Sequence, residues 1–83
     1  MTKKVGDVIH YFDKIGVAII RLAEPVSRGD RVKFVRGGED LFDQEVDSIQ
    51  VEHQSVDAAQ KGDEIGVKVA QKVKEGAEVF LEE

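Results

Sequence analysis

Several residue types are absent or scarce in this 83-residue chain. It has no Cys and no Trp, one Pro, one Tyr and one Met, and no apolar run long enough to cross a bilayer. Without Cys, disulfide frameworks, thiol catalysis and cysteine-ligated zinc are excluded. The N-terminal residues MTKKVGDV lack the apolar stretch of a signal peptide. We therefore expect a cytoplasmic protein with no membrane partner.

The composition is that of a globular protein. Apolar residues make up 41% of the chain and charged residues 35%, which is too apolar for a disordered segment. A chain of this length builds a single core, so residues 1–83 are expected to form one domain, and we expect a monomer.

The two halves of the chain differ in charge. Residues 1–38 contain eight Lys and Arg against four acids, whereas residues 39–83 contain four Lys against thirteen acids, which gives +4 and −9 within a total of −5. A basic face could therefore exist on an acidic protein and bind phosphate. The plainer interpretation is a mixed, solvated surface, and it is favoured about two to one.

Glycine marks the connections between the predicted strands. A basic residue followed by Gly and Asp occurs twice, at 28–30 and at 61–63, and each time an apolar alternation follows. Gly adopts positive φ without steric cost and Asp bonds nearby backbone, so each Gly-Asp pair predicts a tight corner before a strand. Residues 5–7 and 75–77 are looser versions of the same pattern.

Short alternating segments predict six strands and little helix. The predicted strands are 5–12, 15–22, 30–36, 41–55, 64–70 and 77–82, with one possible helical turn at 55–60. In the segment 41–55, Phe42 and Val46 have one parity while Ile49 and Val51 have the other. A β-bulge near Asp47 and Ser48 would turn both sets toward one core. These features predict an all-β fold, a small closed six-stranded antiparallel barrel.

A resemblance supports this fold. The chain resembles the second β-barrel domain of translational GTPases such as elongation factor Tu, over about residues 7–81. The motifs that carry the resemblance are GVA at 16–18, VxxGDxV at 26–32, SIQVEH at 48–53, AxxGDxxGVxV at 59–69 and Gly76 before Val79. Similar barrels also end some larger collagenase-type peptidase-like proteins. The resemblance implies a stand-alone translation-factor-like barrel.

What the resemblance implies about ligands is limited by departures from the family pattern. In elongation factor Tu the strand that corresponds to 48–54 holds the aminoacylated end of transfer RNA through a Glu and an aromatic–Arg pair. This chain has Gln50, Glu52 and His53 there, so the same aminoacyl pocket is not expected. The chain also has no GxxxxGK[ST] motif, so it does not bind GTP by itself.

Two functions follow as hypotheses. The first is an RNA- or ribonucleoprotein-binding module, in which cations contact phosphate and His10 and Phe12 share one strand face. The second is a protein-interaction adaptor that docks on a GTPase-like or peptidase-like partner, for which exposed apolar surface around Val26, Ile20 or Leu41 would be evidence. The candidate binding residues are His10, Lys14, Arg31, Lys33, Arg36, Gln50, Glu52 and His53.

Catalysis has little support in the residues. His10 and His53 are the only imidazoles, and their spacing demands neither a metal site nor an acid–base pair. No serine lies in a nucleophile motif. We expect no enzyme activity, no catalytic or metal-binding residues and no cofactor.

Overall fold

The computed structural model describes residues 2–52 and 54–82, and their regular structure is entirely β-strand, which confirms the all-β prediction. Within these residues no helix is long and apolar enough to span a membrane. The strands are β1 (Thr2–Phe12), β2 (Val17–Leu22), β3 (Val26–Ser27), β4 (Arg31–Arg36), β5 (Glu39–Glu45), β6 (Ile49–Val51), β7 (Gln54–Val56), β8 (Ala58–Ala59), β9 (Glu64–Lys68) and β10 (Glu78–Glu82).

The strands form one large antiparallel sheet and one small one. The large sheet has the order β5-β4-β10-β1-β2-β9-β6-β7, and β3 pairs with β8. The closed six-stranded barrel is therefore wrong, because the sheet has eight strands and no ladder within the described residues joins its end strands β5 and β7. A side chain joins β5 to the segment at the end of β9. Gln44 of β5 donates to the carbonyl of Lys68 and accepts from the N–H of Ala70, both at 2.8 Å.

The predicted long strand 41–55 is divided in the structure. Its residues belong to β5, β6 and β7, which lie at opposite ends of the sheet order. Between β5 and β6, Val46 donates to the carbonyl of Asp30 at 2.7 Å and accepts from the N–H of Gly29 at 2.8 Å. The parity change at Asp47 and Ser48 thus marks a crossing between strands, and not a bulge within one strand. Both parities still face the core, with Val46 and Ile49 each 1% exposed.

The predicted helical turn at 55–60 is also wrong. This segment supplies β7 and β8, and β8 pairs with β3 through Val26 with Ala59 and Ser27 with Ala58. A two-residue strand has too few residues to show a period. Tertiary pairing therefore decides the local structure here.

The two Gly-Asp corners have the same geometry, as predicted. Gly29 and Gly62 have φ of 95° and 91°, and each occupies the third position of a type II turn. In the first corner Asp30 donates its N–H to the carbonyl of Ser27 at 3.1 Å, and its carboxylate accepts from the Ser27 N–H at 2.9 Å. The second corner repeats both bonds between Asp63 and Gln60 at the same distances. The Asp residue thus makes two hydrogen bonds across each turn, one from its backbone N–H and one to its carboxylate.

The two looser glycine patterns have different outcomes. At 74–77 the Ala77 N–H donates to the Lys74 carbonyl and Gly76 has φ of 92°, so this is a third turn of the same kind. Gly6, in contrast, lies inside β1 beside a register shift. A Cβ on Gly6 would lie 2.6 Å from the Arg21 carbonyl oxygen and 2.8 Å from Ile20 Cγ2. Glycine is required there because β1 and β2 approach so closely.

The core lies on the inner side of the large sheet. Phe34 is fully buried and stacks on Phe42, with ring centroids 4.8 Å apart. Tyr11 packs against the core from β1, and its neighbours His10 and Phe12 lie on the other face, as the alternation predicted. Both neighbours are exposed, whereas the interpretation that the sequence favoured about two to one put Phe12 in the core. The rest of the core is mostly branched aliphatic, which suits closely packed strands. Its buried members include Val5, Val8, Ile20, Val32, Ile49, Ile65, Val67 and Val79.

Candidate functional site

The outer face of β4, β5, β10 and the first half of β1 is covered by charged pairs. We call it the ion-pair face. Its ionised groups are Lys4, Asp7, Arg31, Lys33, Asp40, Asp43, Glu78 and Glu82. In the ladders, Phe80 lies between Lys4 and Lys33, so the aliphatic stems of the two lysines flank a half-buried ring. Little uncovered apolar surface remains on this face.

The pairing on the ion-pair face shifts three pKa values. Hydrogen bonds to Asp7 and Glu78, each with a 3.0 Å contact, raise the pKa of Lys4. Asp43 hydrogen-bonds to the carboxyl of Glu82 and to Arg31, and both contacts lower the pKa of Asp43. The same contact with Asp43 raises the pKa of Glu82. These two carboxyl groups therefore share a proton more readily than isolated ones would.

Two of the predicted RNA-binding cations belong to this face and are engaged there. Arg31 donates from Nη2 to Asp43 Oδ1 at 3.0 Å, and Lys33 Nζ lies 3.4 Å from Asp40 Oδ2. Both acids come from β5, the hairpin partner of β4. A phosphate would have to compete with these carboxylates for the two cations.

Most of the cations in the basic half of the chain pair with acids of the other half. Among the described residues, five ion pairs of Lys or Arg join the basic first 38 residues to the acidic remainder. They are Lys4–Glu78, Arg21–Glu64, Arg28–Asp57, Arg31–Asp43 and Lys33–Asp40. The surface is thus mixed, in agreement with the plainer interpretation of the charge pattern.

The outer face of β2, β9 and β6 is apolar and concave. It contains a groove of about 230 Å³ that opens to solvent, which we call the Gly66 groove. Its lining residues are Phe12, Ile15, Val17, Ile19, Gln50, Glu52, Glu64 and Gly66.

The groove exists because β9 has no side chain at its centre. Gly66 pairs with Ile19 on one side and with Gln50 on the other. A Cβ at Gly66 would lie 3.3 Å from Val17 Cγ1 and 3.5 Å from Ile19 Cδ1, within the space that the groove now occupies. Because Gly66 has no side chain, Val17 and Ile19 stay partly exposed on the outer face of the sheet.

Two exposed apolar side chains form one wall of the groove. Phe12 is 43% exposed and Ile15 is 62% exposed. The β1–β2 turn holds them in place, since Gly16, with φ of 66°, donates its N–H to the Phe12 carbonyl at 2.8 Å. His10 contacts the Phe12 ring edge to face at 4.5 Å, and its Nδ1 lies 3.1 Å from Glu75 Oε2. The contact with His10 thus holds the Phe12 ring in position.

The structure brings together some of the predicted site residues and separates others. Gln50 and Glu52 line the groove, His10 supports its wall, and Lys14 lies in the adjoining turn. The predicted cations Arg31, Lys33 and Arg36 lie on β4, which β10, β1, β2 and β9 separate from β6 in the sheet order. His53 lies outside the described residues. The three cations of β4 and the predicted residues at the groove therefore lie in different parts of the sheet.

The apolar residues that define the groove were missed by sequence reasoning. Of the three residues at which exposed apolar surface would have been evidence for an adaptor, Ile20 and Val26 are 2% and 3% exposed, whereas Leu41 is 38% exposed. A signal existed in Val17-Ala18-Ile19-Ile20, because four consecutive apolar residues in a strand place apolar groups on both of its faces. In the neighbouring strands apolar and polar residues alternate, so those strands did not indicate an exposed apolar surface on the outer face.

The described residues contain no group of three or more His, Asp or Glu side chains placed to hold a metal ion. Lack of catalysis and of a cofactor stays a prediction.

Comparison with known proteins finds sequence similarity to part of a protein that is named as a protease. Over 78 residues it is 32% identical to an uncharacterized protease of Methanocaldococcus jannaschii. That match covers 94% of this chain and 19% of the protease, so the chain spans about a fifth of the relative's length. No protein-family model matches the chain.

The solved structures that resemble the chain show the same fold. The C-terminal domain of a Geobacillus thermoleovorans protein assigned to the U32 peptidases superposes with a TM-score of 0.89 at 23% identity, covering 98% of this chain and 93% of that domain. Its selenomethionine variant gives a TM-score of 0.86 at 23% identity, with coverage of 93% and 96%.

These relatives correct the resemblance to translational GTPases, which is wrong. The two Gly-Asp pairs among the motifs that carried it form type II turns closed by the Asp side chain. Any antiparallel fold with such corners needs these residue types at these spacings. The Gly-Asp motifs therefore report turn geometry and do not identify a family.

Proposed function

We propose that this chain is a non-catalytic docking domain that binds a peptidase-like domain through the Gly66 groove. The observation that carries the proposal is the exposed apolar wall of Phe12 and Ile15 beside the uncovered floor at Gly66. Exposed apolar surface that is concave and rimmed by polar groups is typical of protein-binding sites. The rim here includes Gln50, Glu52 and Glu64.

The relatives support the choice of partner. In the Methanocaldococcus protease, the matching segment accompanies a much longer chain, and the Geobacillus domain is named as the C-terminal part of a U32 peptidase. In the Geobacillus protein such a domain is joined to the rest of a U32 peptidase, which makes a peptidase-like domain the candidate partner here. RNA binding has less support, because Arg31 and Lys33 are already paired with carboxylates.

The test is a titration of the isotope-labelled chain with the part of the Methanocaldococcus protease outside the 78 matched residues. We expect saturable amide shifts at residues 12–19, 50–52 and 64–66. The variant Ile15→Asp should weaken binding about tenfold or more, since it places a charge against the partner's apolar contact. Because Ile15 is largely exposed, the free energy of unfolding should change by less than about 0.5 kcal/mol.

The matched control is Ala58→Asp, which adds the same charge at an exposed position of β8. Binding by this variant should equal that of the wild type. The proposal fails if the peptidase part causes no shifts, or if Ile15→Asp and Ala58→Asp weaken binding equally. Salt-sensitive shifts at 31–36 with bulk transfer RNA, without shifts from the peptidase part, would favour RNA binding instead.

A further inference from the structure

A second pocket lies at the other end of the large sheet, between the β4–β5 hairpin and residues 72–74. We call it the hairpin pocket, and its volume is about 260 Å³. Its lining residues are Arg36, Glu39, Leu41, Lys72, Val73 and Lys74. It shares no residue with the Gly66 groove.

The hairpin pocket contains three of the six Lys and Arg side chains that form no ion pair within the described residues. Six of the twelve Lys and Arg side chains form ion pairs within the described residues. Arg36, Lys72 and Lys74 do not pair with any described carboxylate, and Glu39 is the only acid among the lining residues. A protein with a net charge of −5 thus carries a locally positive pocket.

The same pocket offers apolar contact beside the cations. Val73 at its base is 3% exposed, whereas Leu41 is 38% exposed. Leu41 is the extra residue of a register shift in β5, between the pairs Phe34–Phe42 and Val35–Asp40. A bulge of this kind redirects a side chain, and here Leu41 lines the pocket.

We propose that the hairpin pocket binds an acidic peptide segment of a partner protein, with carboxylates on its three cations and an aliphatic side chain against Leu41. Cations and an apolar group in one small pocket match a peptide that alternates acidic and aliphatic residues. Nucleic acid fits less well, because the pocket has no aromatic lining residue on which a base could stack.

The experiment is a titration of the isotope-labelled 83-residue chain with a synthetic peptide of alternating Glu and Leu, at low and at moderate salt. We expect saturable amide shifts at residues 36–41 and 72–74, and weaker binding as salt screens the charges. The variant Lys72→Glu should reduce the affinity about fivefold or more, because it reverses one of three favourable charge contacts.

The matched control is Lys61→Glu, which changes the net charge equally at an exposed lysine of the second Gly-Asp corner. This variant should bind the peptide nearly as well as the wild type. Equal loss in both variants, an absence of saturable shifts, or equal binding of a peptide with Gln in place of Glu would each overturn the proposal. So would tighter binding of a uridine oligonucleotide at the same amides. Because the variants and the shifted amides differ from those of the Gly66 groove, either proposal can fail without the other.

Discussion

The ion-pair face and the Gly66 groove lie on the outer side of the same sheet but expose different chemistry. On the ion-pair face, opposite charges meet across neighbouring strands, as between Lys4 and Glu78 or between Arg31 and Asp43. In the groove, a glycine stands where a side chain could cover Val17 and Ile19. In the first region every ionisable group except Glu82 has an oppositely charged partner, whereas the second region leaves apolar area exposed. The difference shows why exposure alone does not identify a binding surface.

The largest expected effect on stability is that of Gly6→Ala, which we compare with the same substitution at Gly66 in the groove. At Gly6, beneath the ion-pair face, a Cβ would lie 2.6 Å from a backbone carbonyl oxygen that has no room to move. Gly6→Ala should therefore cost about 3 kcal/mol or more of the free energy of unfolding. Chemical denaturation measures this change.

Gly66→Ala is the matched change in the groove. Its Cβ meets side-chain methyl groups at 3.3 and 3.5 Å, which can adjust, and Ala is favoured over Gly in a strand interior. We expect the free energy of unfolding to change by less than about 1 kcal/mol, while the groove becomes shallower and docking weaker. Comparable destabilisation by both substitutions would contradict this account of the two glycines.

The link between the two regions is the next most sensitive point. Gln44 of β5 makes two hydrogen bonds of 2.8 Å to the chain at and beyond the end of β9. Gln44→Ala should cost about 1–3 kcal/mol of unfolding free energy, from two lost hydrogen bonds.

The variant Gln44→Glu serves as the control for this link. It keeps the acceptor for the Ala70 N–H but loses the donor to the Lys68 carbonyl, so its stability should lie between those of the wild type and Gln44→Ala. If both variants are as stable as the wild type, the link between Gln44 and the end of β9 does not contribute to stability.

An ion pair near the boundary of the two regions should contribute less. Arg21 donates to Glu64 Oε2 at 2.8 Å, and both side chains are at least half exposed. A double-mutant cycle with Arg21→Ala and Glu64→Ala should give a coupling free energy of about 0.2–1 kcal/mol, and salt should reduce it. A coupling well above this range would show that the outer face depends on ion pairs more than its exposure indicates.

The smallest effect is a change in pH dependence at Asp43 and Glu82. The raised pKa of Glu82 means that its contribution to stability is complete below its ordinary value of 4.5 and is lost as the pH rises through the raised value. Asp43 behaves oppositely. Its pKa is lowered, so its contribution is complete above its ordinary value of 3.8 and is lost as the pH falls through the lowered one.

The variant Glu82→Gln isolates the Glu82 contribution, because its neutral amide can donate to Asp43 at every pH. We expect its midpoint of thermal unfolding to exceed that of the wild type near neutral pH and to match it below about pH 4. Melting curves from pH 3 to about pH 8 test this. A difference that is constant with pH would show that the two carboxyl groups do not interact.

Local patterns predicted a large part of the fold. The strands predicted at 30–36, 64–70 and 77–82 correspond to β4, β9 and β10, and the Gly-Asp pairs identified both corners with the correct role for Asp. The break in parity at Asp47 and Ser48 was a real structural signal. Its interpretation as a bulge was wrong, because parity records which face a residue occupies and not which strand lies beside it.

The candidate site was predicted less well than the fold. His10, Gln50 and Glu52 do lie in or beside the groove, but Arg31 and Lys33 belong to another face and are paired there. Counting cations in the sequence could not reveal this, since the acids that engage them come from a different strand. The sequence did not indicate that Gly66 forms the floor of a groove either, because glycine within a strand can also mark a bulge or a close backbone approach.

The sequence by itself determined the all-β class, most strand positions and the turns, because these depend on a period of two and on residues that accept positive φ. Tertiary structure alone decided the order of the strands, the open sheet and the partners of each charge. It also decided that Phe12, Ile15 and Gly66 would meet in one groove. These features arise from contacts between residues far apart in the chain, so no local pattern encodes them.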